Sequence, residues 1–223
     1  MKNPLLSAIP CEEFDYQTLL DAVREYSQPR QKISSLLAKG LIVRVKKGLY
    51  VLGESQRRQP FCRELLANLI YGPSYISLEY ALGYYGLIPE RVETVTSVTC
   101  GRARSFATPV GIFSYKSIPL DVFSIGMDRV EFADGRSFLI GTPEKVLADM
   151  LVASRGGRMT TQRELRNYLF DDLRIDQDIL MEMDPKRLAE IATSYRSRRV
   201  KLLADFISRT QRYSLQAIKG GGA

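Results

Sequence analysis

The chain has 223 residues, 45% of them hydrophobic, enough to bury a sizeable core as one larger or two smaller domains. Its 32 Lys and Arg against 25 Asp and Glu leave a net charge of +7, which favours a polyanionic partner. The absence of histidine excludes Ser-His-Asp and Cys-His nucleophile activation and histidine metal sites, and three scattered cysteines in no CxxC spacing argue against a zinc ribbon or a disulfide framework.

The charge is unevenly placed. Residues 1–58 carry ten bases and six acids, 59–143 seven and eight, and 144–223 fifteen and eleven, giving +4, −1 and +4. The near-neutral middle reads as core or protein interface. No N-terminal segment has the order of a signal peptide and no apolar run reaches the ~20 residues that span a bilayer. A cytoplasmic protein with no membrane segment is therefore expected.

In chain order, the first 13 residues contain Pro4 and Pro10 and are too broken for a full helix. Asp15 caps a predicted helix from Tyr16 to about Tyr26, with Leu19, Leu20 and Val23 as its apolar stripe. Pro29 suits the first turn of a second helix, capped by Ser27, running to about Lys39 and stopped by Gly40. On this helix Ile33, Leu36 and Leu37 share one face, while Arg30, Gln31, Ser34 and Ser35 share the other. That outward face carries no acid and is short-chained, as close approach to base edges in a major groove requires. Arg30 suits guanine, Gln31 adenine, the two serines base edges or phosphates, and Lys39 the DNA backbone.

After Gly40 the period changes to two: Val43 and Val45 point one way, Arg44 and Lys46 the other, and Lys47-Gly48 turns the chain back into Leu49 to Leu52. A helix followed at once by a hairpin with a cationic tip predicts a winged helix-turn-helix over residues 1–56, with double-stranded DNA as its partner. The polar stretch from Gly53 to Pro60 is read as a linker, in which Arg57 and Arg58 are either linker charges or further phosphate contacts.

Residues 57–223 are predicted to form a mixed α/β domain with a mainly antiparallel sheet and a helical C-terminal part, so the fold class is α+β. Helices are expected from Phe61 to Tyr71 and from Ser77 to Gly86. In the second, Tyr80, Tyr84 and Tyr85 form a stripe that is core, a partner surface, or the lining of a ligand pocket. Strands are expected at 95–100, 110–115, 122–125, 129–132 and 137–140, with Gly101 to Ser105 either a basic loop reaching nucleic acid or a mere connection. Thr142-Pro143-Glu144 is a strong helix start, closed by residues 155–158. Further helices are expected at 161–170, 176–183, 185–195 and 198–212, before a flexible Gly220 to Gly222 tail. Arg196, Arg198, Arg199 and Lys201 are a second DNA patch, an acidic-protein interface, or a solvated helix end.

Among possible catalytic groups, only the adjacent Asp171 and Asp172 stand out, and neighbouring acids face different ways on a helix. There is no phosphate-binding GxxxxGK[ST] loop and no GxGxxG after a strand. A binding protein rather than an enzyme is expected, with no cofactor and no metal.

The segments ISSLLAKGLIVRVKKGLYVL, YISLEYALGYYGLIPE and TPEKVLADML, in that order, resemble the AbiEi-type antitoxins and transcriptional regulators of bacterial abortive-infection toxin-antitoxin systems. The resemblance implies a winged helix that represses its own operon and a C-terminal domain that counteracts a partner nucleotidyltransferase toxin. It places Arg30, Gln31, Ser34, Ser35, Arg44, Lys46 and Lys47 on operator DNA. The chain departs from the family pattern in its thin first helix and in Tyr85, which stands where His is expected.

Overall fold

Pro4 at the start of a turn and Pro10 shortly after leave room for one short helix, α1 (Pro4–Ser7), capped by the Asn3 side chain. The computed structural model describes residues 3–154 and 159–220, with side chains as far as 212. A strand not foreseen from the sequence, β1 (Glu13–Asp15), comes next, and Asp15 then caps α2 (Tyr16–Ala22) by accepting from the Thr18 backbone N–H at 2.8 Å. The Thr18 backbone and hydroxyl hold the Asp15 carboxyl below its ordinary value. The helix stops four residues short of Tyr26, because Val23 leaves helical geometry with φ −107.

α3 (Pro29–Ala38) has Pro at its start, as expected, but its N-cap is Gln28, which makes no side-chain capping bond, rather than Ser27. Gly40 takes φ +63, the left-handed conformation that a residue with a Cβ resists, and ends the helix. β2 (Ile42–Lys46) and β3 (Leu49–Leu52) form an antiparallel hairpin turned by Gly48 at φ +87, and β1 pairs on the far side of β3. Ile33 and Leu36 of α3 and Leu19 and Val23 of the α2 region pack with Phe14, Tyr50 and Leu52 into a small separate core.

The other side of this sheet is not free. Val45, Leu49 and Val51 join the main core of the molecule, so the N-terminal module is seated directly on the larger C-terminal region. The joint carries a buried charge. The Glu13 carboxylate, 0% exposed, accepts from the Cys62 backbone N–H and from Arg136 Nη1 at 3.0 and 3.2 Å. Residues 53–60 are held between the two regions. Gln56 is buried and accepts from the Asn3 N–H, Arg57 donates to the Leu52 carbonyl at 3.1 Å, and Arg58 pairs with the buried Glu12 at 3.1 Å.

The second region is a six-stranded sheet flanked by helices. After α4 (Arg63–Ile70) come β4 (Ser74–Ile76), α5 (Leu78–Tyr84), β5 (Val95–Thr99), β6 (Arg104–Thr108) and β7 (Gly111–Ser117). The chain continues through α6 (Leu120–Phe123), β8 (Met127–Glu131), β9 (Ser137–Gly141) and α7 (Pro143–Ala153). The strand order is β6-β7-β5-β4-β9-β8. β4–β5, β6–β7 and β8–β9 are antiparallel, whereas β4–β9 and β5–β7 are parallel, so the sheet is mixed with antiparallel pairings in the majority.

Two local expectations fail for identifiable reasons. The strand expected over 122–125 is the helix α6, which starts after Pro119 and buries Val122. Arg104 and Ser105, read as part of a loop, belong to the edge strand β6, whose alternation is weak because most of its side chains face solvent.

α7 starts as the sequence indicates, with the Thr142 side chain accepting from the Lys145 N–H and Pro143 in the first turn. The C-terminal part comprises α8 (Gln162–Asn167), continued by a π-helical turn Tyr168–Asp172, then α9 (Gln177–Met181), α10 (Pro185–Tyr195) and α11 (Arg198–Gly220). α11 extends well past the expected end at Arg212. The expected close of α7 at 155–158 and the glycines at 221–222 lie outside the described residues. The whole is a mixed α+β architecture, and no helix among the described residues is long and apolar enough to cross a membrane.

Candidate nucleic-acid interface

The solvent side of α3 presents Arg30, Gln31, Ser34 and, at its end, Lys39, all exposed, with Ser35 half-buried beside them. Burial of Ile33 and Leu36 against the small core fixes the rotation of the helix, and its 3.6-residue period then sets this face outward. Ser34 Oγ donates to the Arg30 carbonyl at 3.1 Å, the back-bond usual for a mid-helix serine, which keeps its lone pairs available. Beside the first turn of α3 is a hollow of about 410 Å³ lined by Tyr16, Leu20, Gln28, Pro29, Arg30 and Gln31.

The hairpin divides its cations. Arg44 and Lys47 are exposed, but Lys46 is half-buried and its ammonium donates to the Ile70 carbonyl at the end of α4. The cause is an irregularity in register between Arg44, opposite Tyr50, and Lys46, opposite Leu49. A bulge there breaks the strict alternation that would have set Arg44 and Lys46 on one face. Arg30, Lys39, Arg44 and Lys47 make no ion pair among the described residues. They are unneutralised cations on one small module, which is what counterion release at a phosphate backbone uses.

The other residues singled out from sequence divide as well. Arg57 and Arg58 are occupied within the fold, Arg57 also stacking over the Phe61 ring at 4.9 Å and Arg58 donating to the Ile9 carbonyl at 2.7 Å. The Tyr80 hydroxyl donates to Glu64 and the Tyr85 hydroxyl to the Gly141 carbonyl at 2.9 Å, while Tyr84 is 45% exposed. Burial raises the pKa of all three phenols. Tyr80 and Tyr84 share a cavity of about 260 Å³ with Arg63 and Glu90; Tyr85 is not part of it.

Arg199 is turned inward and donates to the Leu151 and Ser154 carbonyls at 3.0 and 2.9 Å. Arg196, Arg198 and Lys201 stay exposed. Asp171 and Asp172 lie exposed on the π-helical turn. Burial, first, and the nearby carboxylates push the Cys62 thiol up to about 12, which favours the neutral thiol over the reactive thiolate.

The sequence reading missed the most polar place in the interior. Lys145 and Asp149, one turn apart on α7, are both 0% exposed and 3.3 Å apart. Asp149 accepts from the Tyr75 hydroxyl at 2.9 Å, the Ser77 hydroxyl at 2.6 Å and the Tyr195 hydroxyl, while Lys145 donates to Tyr195 Oη at 2.9 Å and to the Val122 carbonyl at 2.8 Å. Burial pushes the Asp149 carboxyl upward against the pull of Lys145 and the three hydroxyls, and pushes Lys145 downward against Asp149. Tyr75 and Tyr195 are raised too, by burial first and then by Asp149.

Ser77 sits at the N-cap of α5 but gives its hydroxyl to Asp149 instead of to a cap, and the next residue, Leu78, takes φ +62 with its side chain fully buried. A full exchange of donors and acceptors around the fully buried Lys145 and Asp149 makes this cluster a strut that joins α7, β4, α6 and α10. One signal could have exposed it: a Lys and an Asp spaced i,i+4 in the run Val146, Leu147, Ala148, Met150, Leu151, which is apolar all round.

No family model and no curated protein matches the chain. Among solved structures, one described as "Crystal structure of JHP933 from Helicobacter pylori" is similar over 72% of this chain and 94% of its own, at 12% identity and a TM-score of 0.32, too low to carry an argument.

Proposed function

We propose that the chain is the antitoxin of a bacterial toxin-antitoxin system of the abortive-infection type, a winged helix-turn-helix protein that binds operator DNA and represses its own operon. The observation that carries the DNA reading is the acid-free outer face of α3 beside the exposed cations Arg44 and Lys47 of the hairpin. α3 is the recognition helix and the β2–β3 hairpin the wing, with α2 as the supporting helix. The β1 strand pairing with the wing makes up in part for the short α1. The antitoxin half of the proposal rests on the resemblance of the three quoted segments, and assigns residues 57–223 to counteracting a nucleotidyltransferase toxin.

Binding to the DNA upstream of the chain's own reading frame tests the first half. Arg30→Ala should cost roughly 1 to 3 kcal/mol on the specific site and little elsewhere. Lys47→Ala should weaken all duplexes and reduce the salt slope by about one phosphate contact. Lys46→Ala should leave that slope unchanged, because its ammonium is spent on the Ile70 carbonyl. Operator affinity untouched by both Arg30→Ala and Lys47→Ala ends the DNA reading. Co-expression with the adjacent reading frame tests the second half: relief of a growth arrest supports it, and a harmless neighbour removes it.

The second reading, a winged-helix regulator whose second domain senses a small ligand, is favoured by the cavity that Tyr80 and Tyr84 line. Release from operator DNA by a ligand would distinguish it.

A further inference from the structure

The corner between α10 and α11 forms an open cleft of about 570 Å³, within the range that holds small molecules. Ala189, Ala192 and Ala204 give it an apolar lining, with Ala204 buried and Ala189 exposed. Its wall is cationic: Arg196, Arg198 and Lys201 line it, against the single acid Asp205. None of these three cations has an ion-pair partner among the described residues.

The frame around the cleft is fixed from beneath. Tyr195, the last residue of α10, is tied to Asp149 and Lys145, and Arg199 in the first turn of α11 is tied to the end of α7. Ordering of the corner is thus completed before any ligand arrives, which lowers the cost of binding. Arg196 itself holds φ +50, a conformation glycine adopts freely and a residue with a Cβ adopts at a cost, so the corner keeps a guanidinium where the backbone alone favours none.

We propose that this cleft binds a small phosphorylated ligand of the nucleotide class, its phosphates held by Arg196, Arg198 and Lys201 and its apolar body set against the three alanines. Planar guanidinium forks suit phosphate oxygens, and the lysine adds a point charge. The alanine lining beside the cations favours a small ligand with an apolar body over an extended nucleic-acid backbone, which has no use for an apolar surface. The assignment does not depend on the DNA reading of α3, and its test does not use the operator.

Calorimetric titration of the full chain with ADP, adenosine and inorganic phosphate tests it. ADP should bind saturably, adenosine at least about tenfold more weakly, and Arg198→Ala with Lys201→Ala should lower the ADP affinity about tenfold or more. Arg196→Gly keeps the corner, since glycine accepts its φ, and should also weaken ADP severalfold with the circular dichroism unchanged. Absence of saturable ADP binding, equal binding of adenosine, or ADP affinity untouched in these variants overturns the proposal. So does a random 20-base-pair duplex whose affinity falls in the double variant while ADP fails to bind, which would make the cleft a nucleic-acid contact.

Discussion

Asp149→Ala should lower the stability of the chain by about 3 to 5 kcal/mol and its melting temperature by on the order of 10 °C, by far more than any single change on the exposed face of α3. The cause is what the substitution leaves behind. Lys145 would remain 0% exposed with its carboxylate gone, and the hydroxyls of Tyr75, Ser77 and Tyr195 would lose their shared acceptor. Breaking one side of a buried pair costs far more than the pair contributes, because an uncompensated charge stays in a low-dielectric interior. Replacing both partners, Lys145→Met with Asp149→Leu, should therefore be less damaging than Asp149→Ala alone. Thermal and urea denaturation of the three proteins decide the matter. A loss below about 1 kcal/mol for Asp149→Ala would mean that water reaches Lys145 and that the cluster is no strut.

Gly53→Ala should be the most damaging substitution in the N-terminal module, costing at least about 3 kcal/mol. A Cβ on Gly53 would lie 1.9 Å from the Gly40 carbonyl oxygen, 2.9 Å from the Leu41 carbonyl carbon and 3.0 Å from that of Gly40. All three are backbone atoms, so no rotamer change relieves the overlap. The Gly53 N–H also donates to the Leu41 carbonyl at 2.8 Å, so the approach is part of the pairing that ties the return strand to the end of α3. Gly135→Ala is the contrast, since its Cβ would meet nothing within 4 Å and only φ +82 opposes it, at about 1 kcal/mol. Because Gly40 ends α3, Gly53→Ala should also weaken the DNA binding proposed for that helix about tenfold with every residue of the outer face in place. Urea denaturation and fluorescence anisotropy on the same samples check both effects. A Gly53→Ala protein as stable as Gly135→Ala would show that the chain can open at this crossing.

Periodicity made α3 legible, because Pro29, the Ile33 and Leu36 spacing and Gly40 all act locally. The same holds for α7 with Thr142 and Pro143, and for α10, whose expected bounds coincide with Pro185–Tyr195. What sequence left hidden depends on contacts distant along the chain. Strands β1 and β4 are three residues each, too short for a pattern, and owe their pairing to β3 and to β5 and β9. The parallel pairings of the sheet, the capture of Lys46 by the Ile70 carbonyl and the occupation of Arg58 and Arg199 are set by partners many residues away. On the candidate DNA face the outward residues of α3 were readable, whereas which hairpin cations reach solvent was not. The chemistry of Tyr75, Ser77, Lys145, Asp149 and Tyr195 was invisible because each residue taken singly has an ordinary role, as core, cap or helix charge.

The carboxylate of Glu13 gives the molecule its mechanical character. With that group locked between the start of α4 and Arg136 of the β8–β9 hairpin, and with Val45, Leu49 and Val51 shared with the larger core, the two regions have no hinge between them. They should melt in one calorimetric transition, and a fragment ending at residue 56 should aggregate through its bared sheet face. A load placed on the β8–β9 hairpin is then carried to α3 as movement of the whole body, since Glu13 and the shared core leave no pivot to absorb it.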